Sequence, residues 1–289
     1  MMSTQTLPSI KNYIDTELVQ QISSDCELWV YASPKSIKLL AACKEKKQVT
    51  GLTVLEIGSG SIFQKGLFEL RSLLEGLTMF SQQYRHIHLV FETPYFTLIP
   101  EALFTADKEE ILINSLHEIP KFYTVKCNRY LADNVVAAYA IPDIFCSTLK
   151  VLFPEASVNH YATALIEATR TLKEKTIQPF YVNIHENYID LIYFKENHLQ
   201  FINTFKTEAE TDIIYFILSV ADQQNLQVNV LQLVIMGDIN SSGTLLTFLK
   251  KYIPNVSFIK RTSDYNFPAS FREFEPHHHF STLAVLLCE

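Results

Sequence analysis

Side chains that could bind a metal ion lie close together near the C-terminal end of the chain. Three consecutive histidines, His277, His278 and His279, follow shortly after Glu275, and imidazole and carboxylate groups are common ligands of zinc. Three adjacent residues do not point at one ion unless a loop turns them toward it, and no further histidine follows one helical turn later. We therefore expect a solvated loop here and predict no metal site.

A second group of histidines lies within an apolar run. His86 and His88 alternate along this run and would share one face of a strand, and His160 is a candidate to join them. We expect a hydrogen-bonded, half-buried pair rather than a metal site. No G-x-S-x-G nucleophile elbow occurs, so the sequence does not indicate an activated serine. Three carboxylates are further candidates for a shared site: Asp190, Asp212 and Asp238.

The loop Gly58-Ser59-Gly60 follows an apolar run that ends at Ile57. It resembles the cofactor loop of S-adenosylmethionine-dependent methyltransferases, in which glycines let the backbone approach the cofactor. Those enzymes usually carry a further glycine where Ile62 stands and an acidic residue at the end of the next strand, about 20 residues on. The next candidate acid here is Glu92, which is too distant. We predict a flexible loop, with a methyltransferase as the least favoured alternative.

The composition restricts the classes of partner. The chain has 24 Lys and Arg against 31 Asp and Glu, and its formal charge of −7 argues against binding the phosphate backbone of a nucleic acid. No run approaches the ~18 apolar residues of a membrane-spanning helix, and the N-terminal residues show no apolar signal-peptide core. The five cysteines form no C-x-x-C pair, so we expect reduced thiols in the core and a cytoplasmic protein.

The N-terminal half is predicted to begin with a polar, loosely attached arm and then three strands joined by short turns. The arm covers residues 1–24, and the strands cover 27–32, 36–42 and 50–57. A stripe of leucines from Leu67 to Leu77 predicts a helix. The remaining predicted elements are a strand at 86–92, a helix opened by a capping box of Asp107 and Glu110, a hairpin of 123–131 and 135–141, and helices at 142–153 and 159–174.

The C-terminal half repeats this order with almost no residue identity. Its predicted elements are strands at 180–185, 188–194 and 199–205, a helix opened by Thr207 and Glu210, a strand at 228–236, a helix at 242–252, a strand at 256–259, an irregular segment at 261–275 and a closing helix at 280–287. The repeat predicts a duplicated α/β architecture with one lobe over residues 25–176 and another over 177–289.

This order of elements resembles the actin-like ATPase fold, a duplicated ribonuclease H-like fold. Each lobe of that fold combines a three-stranded antiparallel meander with helices on a mixed sheet. The chain is similar to divergent bacterial members: an uncharacterised domain-of-unknown-function family with this fold, and the cytoplasmic scaffold proteins of type IV pilus and type II secretion machines. The resemblance covers about residues 25–289 and rests on the order of elements more than on motifs.

The resemblance implies a nucleotide cleft, but its motifs are altered here. In active members the first hairpin of each lobe carries Asp-x-Gly, where the Asp serves the metal and the Gly lets amides approach the phosphates. The first hairpin here has neither residue, and the second has Asn183 in the Asp place and His185 in the Gly place. A Gly-Gly pair that contacts adenosine is reduced to Gly237. The remnant cleft would contain Ser33, Lys35, Asn183, His185, Gly237 and Asp238.

The departures favour a non-catalytic actin-like scaffold or assembly protein that acts through protein–protein contacts and needs no cofactor. The alternative is an actin-like ATPase that binds ATP and Mg²⁺ through unfamiliar residues. A ligand could also bind without turnover, through Gly237 and the amides at the start of the 242–252 helix. We instead expect Gly237 to be a simple turn, with Asn240 or Ser241 capping that helix. The expected partner is a protein, including a second copy of this chain, and neither nucleic acid binding nor insertion into a membrane is expected.

Overall fold

The computed structural model describes residues 8–15, 17, 18, 22, 25–130, 133–172, 179–237 and 239–288. These residues form two compact units, which comprise Met1–Thr163 with Ser263–Glu273, and Ala164–Thr262 with Phe274–Glu289. The units differ from the predicted lobes 25–176 and 177–289, because the first unit ends within a helix and Ser263–Glu273 returns to it. No helix in the described parts of the chain is both long and apolar enough to cross a membrane.

The described residues of the first unit form nine strands in two sheets. The strands are β1 (Ser9–Ile14), β2 (Glu27–Ala32), β3 (Ser36–Cys43), β4 (Gln48–Glu56), β5 (His86–Phe91), β6 (Phe96–Pro100), β7 (Tyr123–Tyr130), β8 (Val135–Pro142) and β9 (Ser157–His160). The larger sheet has the order β1-β4-β3-β2-β5-β9 and the smaller one β6-β8-β7. Strands β2, β3 and β4 form the predicted antiparallel meander, and β5 and β9 continue it in parallel.

Three helices complete the described part of the first unit, and a fourth leads into the second unit. They are α1 (Leu67–Glu75), α2 (Glu109–Leu116), α3 (Asp143–Leu152) and α4 (Tyr161–Thr171). Short 3-10 turns occur at Ile62–Gln64, Glu101–Leu103 and Ala269–Glu273. The buried faces of the helices follow the apolar periodicity: in α1, Leu70 and Leu74 are buried at helical spacing.

The second unit repeats the plan of the larger sheet. Its strands are β10 (Pro179–Ile184), β11 (Tyr188–Lys195), β12 (His198–Lys206), β13 (Gln232–Gly237) and β14 (Asn255–Phe258), and its helices are α5 (Glu210–Gln223), α6 (Thr244–Tyr252) and α7 (Phe280–Leu283), followed by a 3-10 turn at Ala284–Leu287. The order β12-β11-β10-β13-β14 matches β4-β3-β2-β5-β9 of the first unit. The predicted duplication of a meander plus helices on a mixed sheet is therefore confirmed.

The core of the second unit explains why β13 is nearly all apolar. Strands β10 and β14 flank β13 in parallel, so its residues pair on both sides. Ile217 of α5, Leu233 of β13 and Leu249 of α6 are fully buried in one cluster. The strand is shorter than the predicted 228–236, because Val230 lies in a turn and is exposed.

The predicted loose arm is wrong for residues 9–14. Strand β1 pairs with β4 antiparallel, with Ile14 opposite Gly51. A Cβ on Gly51 would lie 2.6 Å from the Ile14 side chain, so the glycine makes room for this edge strand. Strand β1 lies at the edge of a sheet, and most of its residues are exposed. Its sequence is therefore polar and does not predict a strand.

Several helix starts differ from the predicted capping boxes. Helix α2 begins at Glu109, while Asp107 has a φ of 68°, so the predicted box of Asp107 and Glu110 does not form. Helix α5 begins at Glu210. The carboxylate that caps its N-terminus belongs to Asp212, because Asp212 Oδ2 accepts hydrogen bonds from the amides of Glu208 and Ala209 at 2.8 and 3.0 Å. The predicted helix at 159–174 begins later, because residues 157–160 form β9.

Two of the five cysteines form a disulfide, so the expectation of five reduced thiols is wrong. In the register of β2 and β3, Glu27 lies opposite Ala42, which makes Cys26 and Cys43 the next cross-strand pair. Their Cα atoms are 4.1 Å apart and their sulfur atoms are bonded. Cys127, Cys146 and Cys288 lie outside this disulfide.

Candidate functional site

The hairpin of β10 and β11 brings two of the polar residues of the second unit together. The amide of His185 donates to the carbonyl of Tyr188 at 3.0 Å, which closes a two-residue turn at Glu186-Asn187. This turn sets the register, so that Asn183 lies directly opposite Asp190. Asp190 in turn lies opposite Thr204 of β12. The hairpin therefore positions an amide, a carboxylate and a hydroxyl side by side across three strands.

These side chains form a closed hydrogen-bond network. The Asn183 amide donates to Asp190 Oδ2 at 2.9 Å, and His185 Nε2 lies 2.8 Å from the same oxygen. The Thr204 hydroxyl donates to Asp190 Oδ1 at 2.7 Å. The Ser281 hydroxyl of α7 donates to Asn183 Oδ1 at 3.1 Å. Both oxygens of the Asp190 carboxylate therefore have partners from the chain itself. We name Asn183, His185, Asp190, Thr204 and Ser281 the polar network.

Burial makes these partners necessary. Asn183 is 0% exposed and Asp190 is 1% exposed, and a carboxylate removed from water is stable only when donors surround it. The His185 ring stacks on Tyr188 with centroids 4.0 Å apart, which holds the imidazole in place. The positions that resemble the Asp and Gly of an active hairpin are thus filled by an amide and an imidazole bound to Asp190.

Gly237 lies beside the polar network because β13 pairs with β10 in parallel, with Gly237 opposite Ile184. Its φ is +97°, and a Cβ there would lie 2.1 Å from the carbonyl oxygen of Ile184. Its amide donates to the carbonyl of His277 at 3.0 Å. Gly237 therefore lies at the end of β13, where the backbones of β13 and β10 are too close to accommodate a side chain. This position restricts the residue type more than the expected simple turn would. Asp238 lies outside the described residues.

The start of α6 differs from the expected capping. Gly243 is the N-cap residue. The side chain of Asn240 accepts hydrogen bonds from the amide and hydroxyl of Ser242 at 2.9 and 2.8 Å. These bonds lie within the loop before α6, so Asn240 does not cap the helix. The hydroxyl of Thr244, the first residue of α6, donates to the carboxylate of Glu210 at 3.0 Å. A negative charge at this helix end is favourable for the helix dipole and would oppose a phosphate there.

The two site residues predicted in the first unit belong to the turn between β2 and β3. The Ser33 amide donates to the Ser36 carbonyl at 3.0 Å, and the two hydroxyls are 2.9 Å apart. Ser33 is buried, whereas the side chain of Lys35 is exposed and its carbonyl accepts from the amide of Ile57 at 2.9 Å. The polar groups of Ser33 are therefore used by the turn itself.

The loop Gly58-Ser59-Gly60 is exposed and follows β4. Strand β4 is antiparallel to both neighbours, β1 and β3, whereas a methyltransferase cofactor loop follows a strand of a parallel βαβ unit. The loop therefore has the position predicted for it after the third strand of the meander.

The histidines of the first unit do not form one cluster. His88 Nδ1 lies 2.8 Å from the Ser157 hydroxyl and its Nε2 lies 3.2 Å from Glu27. Burial lowers the pKa of His88, and the neighbouring Glu27 opposes this shift. His160 lies opposite Phe91 in the parallel pairing, where its Nε2 is 2.9 Å from the Thr93 carbonyl. His88 and His160 thus have ordinary structural partners, whereas His86 is exposed, so the expected half-buried pair of His86 and His88 does not form.

The histidine run near the C-terminal end is not a solvated loop. His277 is only 2% exposed, so this expectation is wrong. The Nε2 atoms of His277 and His278 lie 2.8 and 2.9 Å from the carbonyl oxygen of Ile239. A hydrogen bond from the Ser241 hydroxyl, together with these two histidines, lowers the pKa of Glu275. The turn at 276–279 thus supplies the geometry that adjacent residues in an extended chain would lack.

Thr204 and Ser281 were missed as site residues by the sequence analysis. Asn183 and Asp190 could have been paired from the predicted turn at Glu186-Asn187 alone. Thr204 could not, because the register of β11 and β12 shifts at an irregularity between Tyr193 and Phe194. Ser281 lies 98 residues from Asn183, and no local pattern connects them.

Solved structures share this fold. A protein with actin-like ATPase fold and unknown function from Bacteroides thetaiotaomicron VPI-5482 is 22% identical, covers 92% of this chain and 97% of its own, and has a TM-score of 0.78. The ethanolamine utilization protein EutJ from Carboxydothermus hydrogenoformans is 10% identical over 96% and 94% of the two chains, with a TM-score of 0.52. A chain of the PilM-PilN type IV pilus biogenesis complex is 10% identical over 92% and 98%, with a TM-score of 0.57.

These likenesses show the fold alone, because all identities are low. Among curated protein sequences none matches this chain significantly. A family model does match, over residues 15–256, which is most of the chain and includes the meanders of both units. The chain has the actin-like ATPase fold and belongs to the family described as protein of unknown function (DUF3822).

Proposed function

We propose that this chain is a non-catalytic actin-like protein that acts as a scaffold or assembly factor through contacts with other proteins. The observation that supports this proposal is the closed polar network of the second unit. Both Asp190 oxygens accept hydrogen bonds from Thr204, Asn183 and His185, at distances of 2.7–2.9 Å. A carboxylate whose two oxygens already accept these hydrogen bonds is a poor ligand for a magnesium ion.

Phosphoryl transfer depends on the stabilisation of charge, which is why the polar network bears on catalysis. Its transition state carries charge that must be met by metal ions, backbone amides and cationic groups placed in advance. The hairpin of the second unit has an uncharged Asn183 and a bulky His185 where active members have Asp and Gly. At the start of α6, the carboxylate of Glu210 lies 3.0 Å from the Thr244 hydroxyl and would repel a phosphate. Each of these features lowers the affinity expected for a nucleotide.

A surface on the first unit supports the protein-binding part of the proposal. Phe122, Ile144 and Val151 are 77%, 66% and 63% exposed. The amide of Asp143 donates to the Phe122 carbonyl at 2.9 Å, which places Phe122 next to the start of α3, and Ile144 and Val151 are two turns apart on one face of that helix. We call these three residues the apolar face. Large apolar side chains grouped on a surface are typical of contacts with proteins.

The fold comparison agrees with such a role. A chain of similar fold is part of the PilM-PilN type IV pilus biogenesis complex, which is a protein assembly. The fold is thus compatible with function through a protein partner. For this chain we propose the same general mode of action, with a second copy of the chain as the first partner to test.

The first prediction concerns the nucleotide. We expect Mg-ATP, added up to about 5 mM, to leave the melting temperature of the purified protein unchanged, because a ligand stabilises only a native state that binds it. A nucleotide present at 100 times its dissociation constant would instead stabilise the protein by about 2.7 kcal/mol. Differential scanning fluorimetry makes this measurement, with magnesium chloride alone as the control. A saturable rise, or steady release of phosphate, would contradict the proposal in favour of the ATPase alternative.

The second prediction concerns self-association. We expect the protein to associate reversibly in sedimentation velocity experiments at micromolar concentrations, because burying the apolar face removes large apolar side chains from water. The double variant Phe122→Ser, Ile144→Ser should sediment as a monomer. Tyr215→Ser, which changes a residue of the second unit that is 65% exposed, is the matched control and should behave as wild type. A wild-type monomer at every concentration would rule out self-association through this face.

A further inference from the structure

We propose that Glu275, His277 and His278 form a binding site for a divalent transition-metal ion of the zinc type. Each of the three side chains has a ligand atom, a carboxylate oxygen or an imidazole nitrogen, within 4.8 Å of those of the other two. In a tetrahedral zinc site such atoms lie about 2.0–2.2 Å from the ion, so they are about 3.3–3.6 Å apart. Side-chain movements of about 1 Å would bring the three groups onto one ion.

The turn at 276–279 removes the main objection to adjacent histidines as ligands. The amide of His278 donates to the Glu275 carbonyl at 3.0 Å, which folds the segment back on itself. The rings of His277 and His278 are 4.5 Å apart and inclined by 70°, so their Nε2 atoms converge without stacking. The chain direction at this turn, rather than the spacing in the sequence, points both imidazoles toward one place.

The surroundings hold these ligands in position. The carbonyl of His277 accepts from the amide of Gly237 at 3.0 Å, and its ring stacks on Phe258 with centroids 4.3 Å apart. Glu275 Oε1 accepts a hydrogen bond from the Ser241 hydroxyl, which leaves Oε2 to face His277 Nε2 at 3.3 Å. A hydrogen bond to the second oxygen of a ligating carboxylate is a common way to orient it toward a metal.

The arrangement without an ion shows what binding would change. Both Nε2 atoms lie within 2.9 Å of the Ile239 carbonyl oxygen, which can only accept, so both carry a proton. In the metal-bound form each proton moves to Nδ1, and the Nε2 lone pairs bind the ion. The Ile239 carbonyl oxygen then loses two donors and lies close enough to serve as a fourth ligand or to bind a ligating water.

The type of donor selects the type of metal. Two imidazole nitrogens and one carboxylate oxygen suit zinc and its neighbours among the divalent transition metals. Magnesium and calcium prefer oxygen ligands alone and are poorly matched by this set. The inference does not depend on the scaffold role, because it rests only on the turn at 276–279 and the groups around it.

Isothermal titration calorimetry of the metal-free full-length protein with zinc chloride tests this site. We expect one equivalent of zinc to bind with a dissociation constant in the micromolar range or below. Glu275→Gln and His278→Gln each remove one ligand and should weaken binding at least tenfold, and His277→Gln should do the same. The matched control is His198→Gln, because His198 is exposed on β12 of the same unit and should not affect binding.

Three results would overturn the assignment. One is no stoichiometric uptake of zinc by the wild type. Another is unchanged affinity in Glu275→Gln and His278→Gln, whose folding is checked by circular dichroism and which decide the question even if the buried His277→Gln fails to fold. The third is a thiolate charge-transfer band in the cobalt-substituted protein, because this would place the ion on a cysteine outside the disulfide, such as Cys127.

Discussion

Replacing Gly237 with alanine is expected to lower the free energy of unfolding by about 3–5 kcal/mol. The residue has a φ of +97°, which an L side chain rarely adopts, and a new Cβ would lie 2.1 Å from the Ile184 carbonyl oxygen. Relief would require β13 to move away from β10, since Gly237 and Ile184 are paired in the parallel ladder. The same movement would disturb Asn183 and its partners in the polar network.

Urea unfolding of the full chain, followed by circular dichroism, measures this effect. The matched control is Gly76→Ala: Gly76 has a φ of −77° and nothing lies within 4 Å of its ideal Cβ, so a change of at most about 1 kcal/mol is expected. The single tryptophan, Trp29, lies in the first unit, so its fluorescence reports on that unit separately. An unfolding midpoint of Gly237→Ala equal to that of the wild type would contradict the prediction.

Asn183→Asp is expected to destabilise the protein by about 3–5 kcal/mol at neutral pH. The change turns an amide donor, 2.9 Å from Asp190 Oδ2, into a second carboxylate at a position that is 0% exposed. Two buried carboxylates at this distance repel each other, and burial adds to the cost of ionising the new one. The polar network therefore does not accept a second carboxylate through this single substitution.

The pH dependence of this variant has a definite sign. Burial and Asp190 raise the folded-state pKa of the new carboxyl above its unfolded value of about 3.9. The defect relative to wild type is therefore fully present above the raised pKa and shrinks as the pH falls through it to the unfolded value of about 3.9, below which both states are protonated. Urea unfolding at several pH values measures it. A defect that does not change with pH would contradict a buried-charge origin.

Two further variants separate charge from packing at this position. Asn203→Asp adds the same carboxylate at an exposed position on β12 and is expected to change the free energy of unfolding by less than about 0.5 kcal/mol. The double variant Asn183→Asp, Asp190→Asn exchanges the two groups across the pair and leaves one carboxylate in the polar network. We expect it to recover most of the lost stability. A double variant as unstable as Asn183→Asp would show that geometry, rather than repulsion, dominates.

Local patterns in the sequence predict the meanders well. Apolar alternation over 27–32 and 180–184, separated by short polar turns, is typical of antiparallel strands whose pairing is set by the turn. The tight turn at Glu186-Asn187 therefore already implies that Asn183 lies opposite Asp190. The same local logic, applied to the turn at Ser33, would have paired Cys26 with Cys43, although the absence of a C-x-x-C motif favoured free thiols.

Capping residues were less informative, because several candidates stand close together at each helix start. Asp212 rather than Glu210 reaches back at the start of α5, and Glu210 instead contacts Thr244 of the next helix. An acidic residue near a helix start is favourable at more than one position, so the sequence indicates a helix but not its first residue. The contact between Glu210 and α6 therefore distinguishes the roles of these two carboxylates.

The sequence by itself determined the duplicated order of strands and helices, the antiparallel meanders and the residue types in their hairpins, because these depend on neighbouring residues. Only the tertiary structure decided which partners those residues have. Ser281 reaches Asn183 across 98 positions, Gly237 meets Ile184 through a parallel pairing, and the turn after Glu275 directs two imidazoles to one carbonyl. Contacts between distant segments depend on how helices and strands pack, and local periodicity in the sequence does not predict that packing.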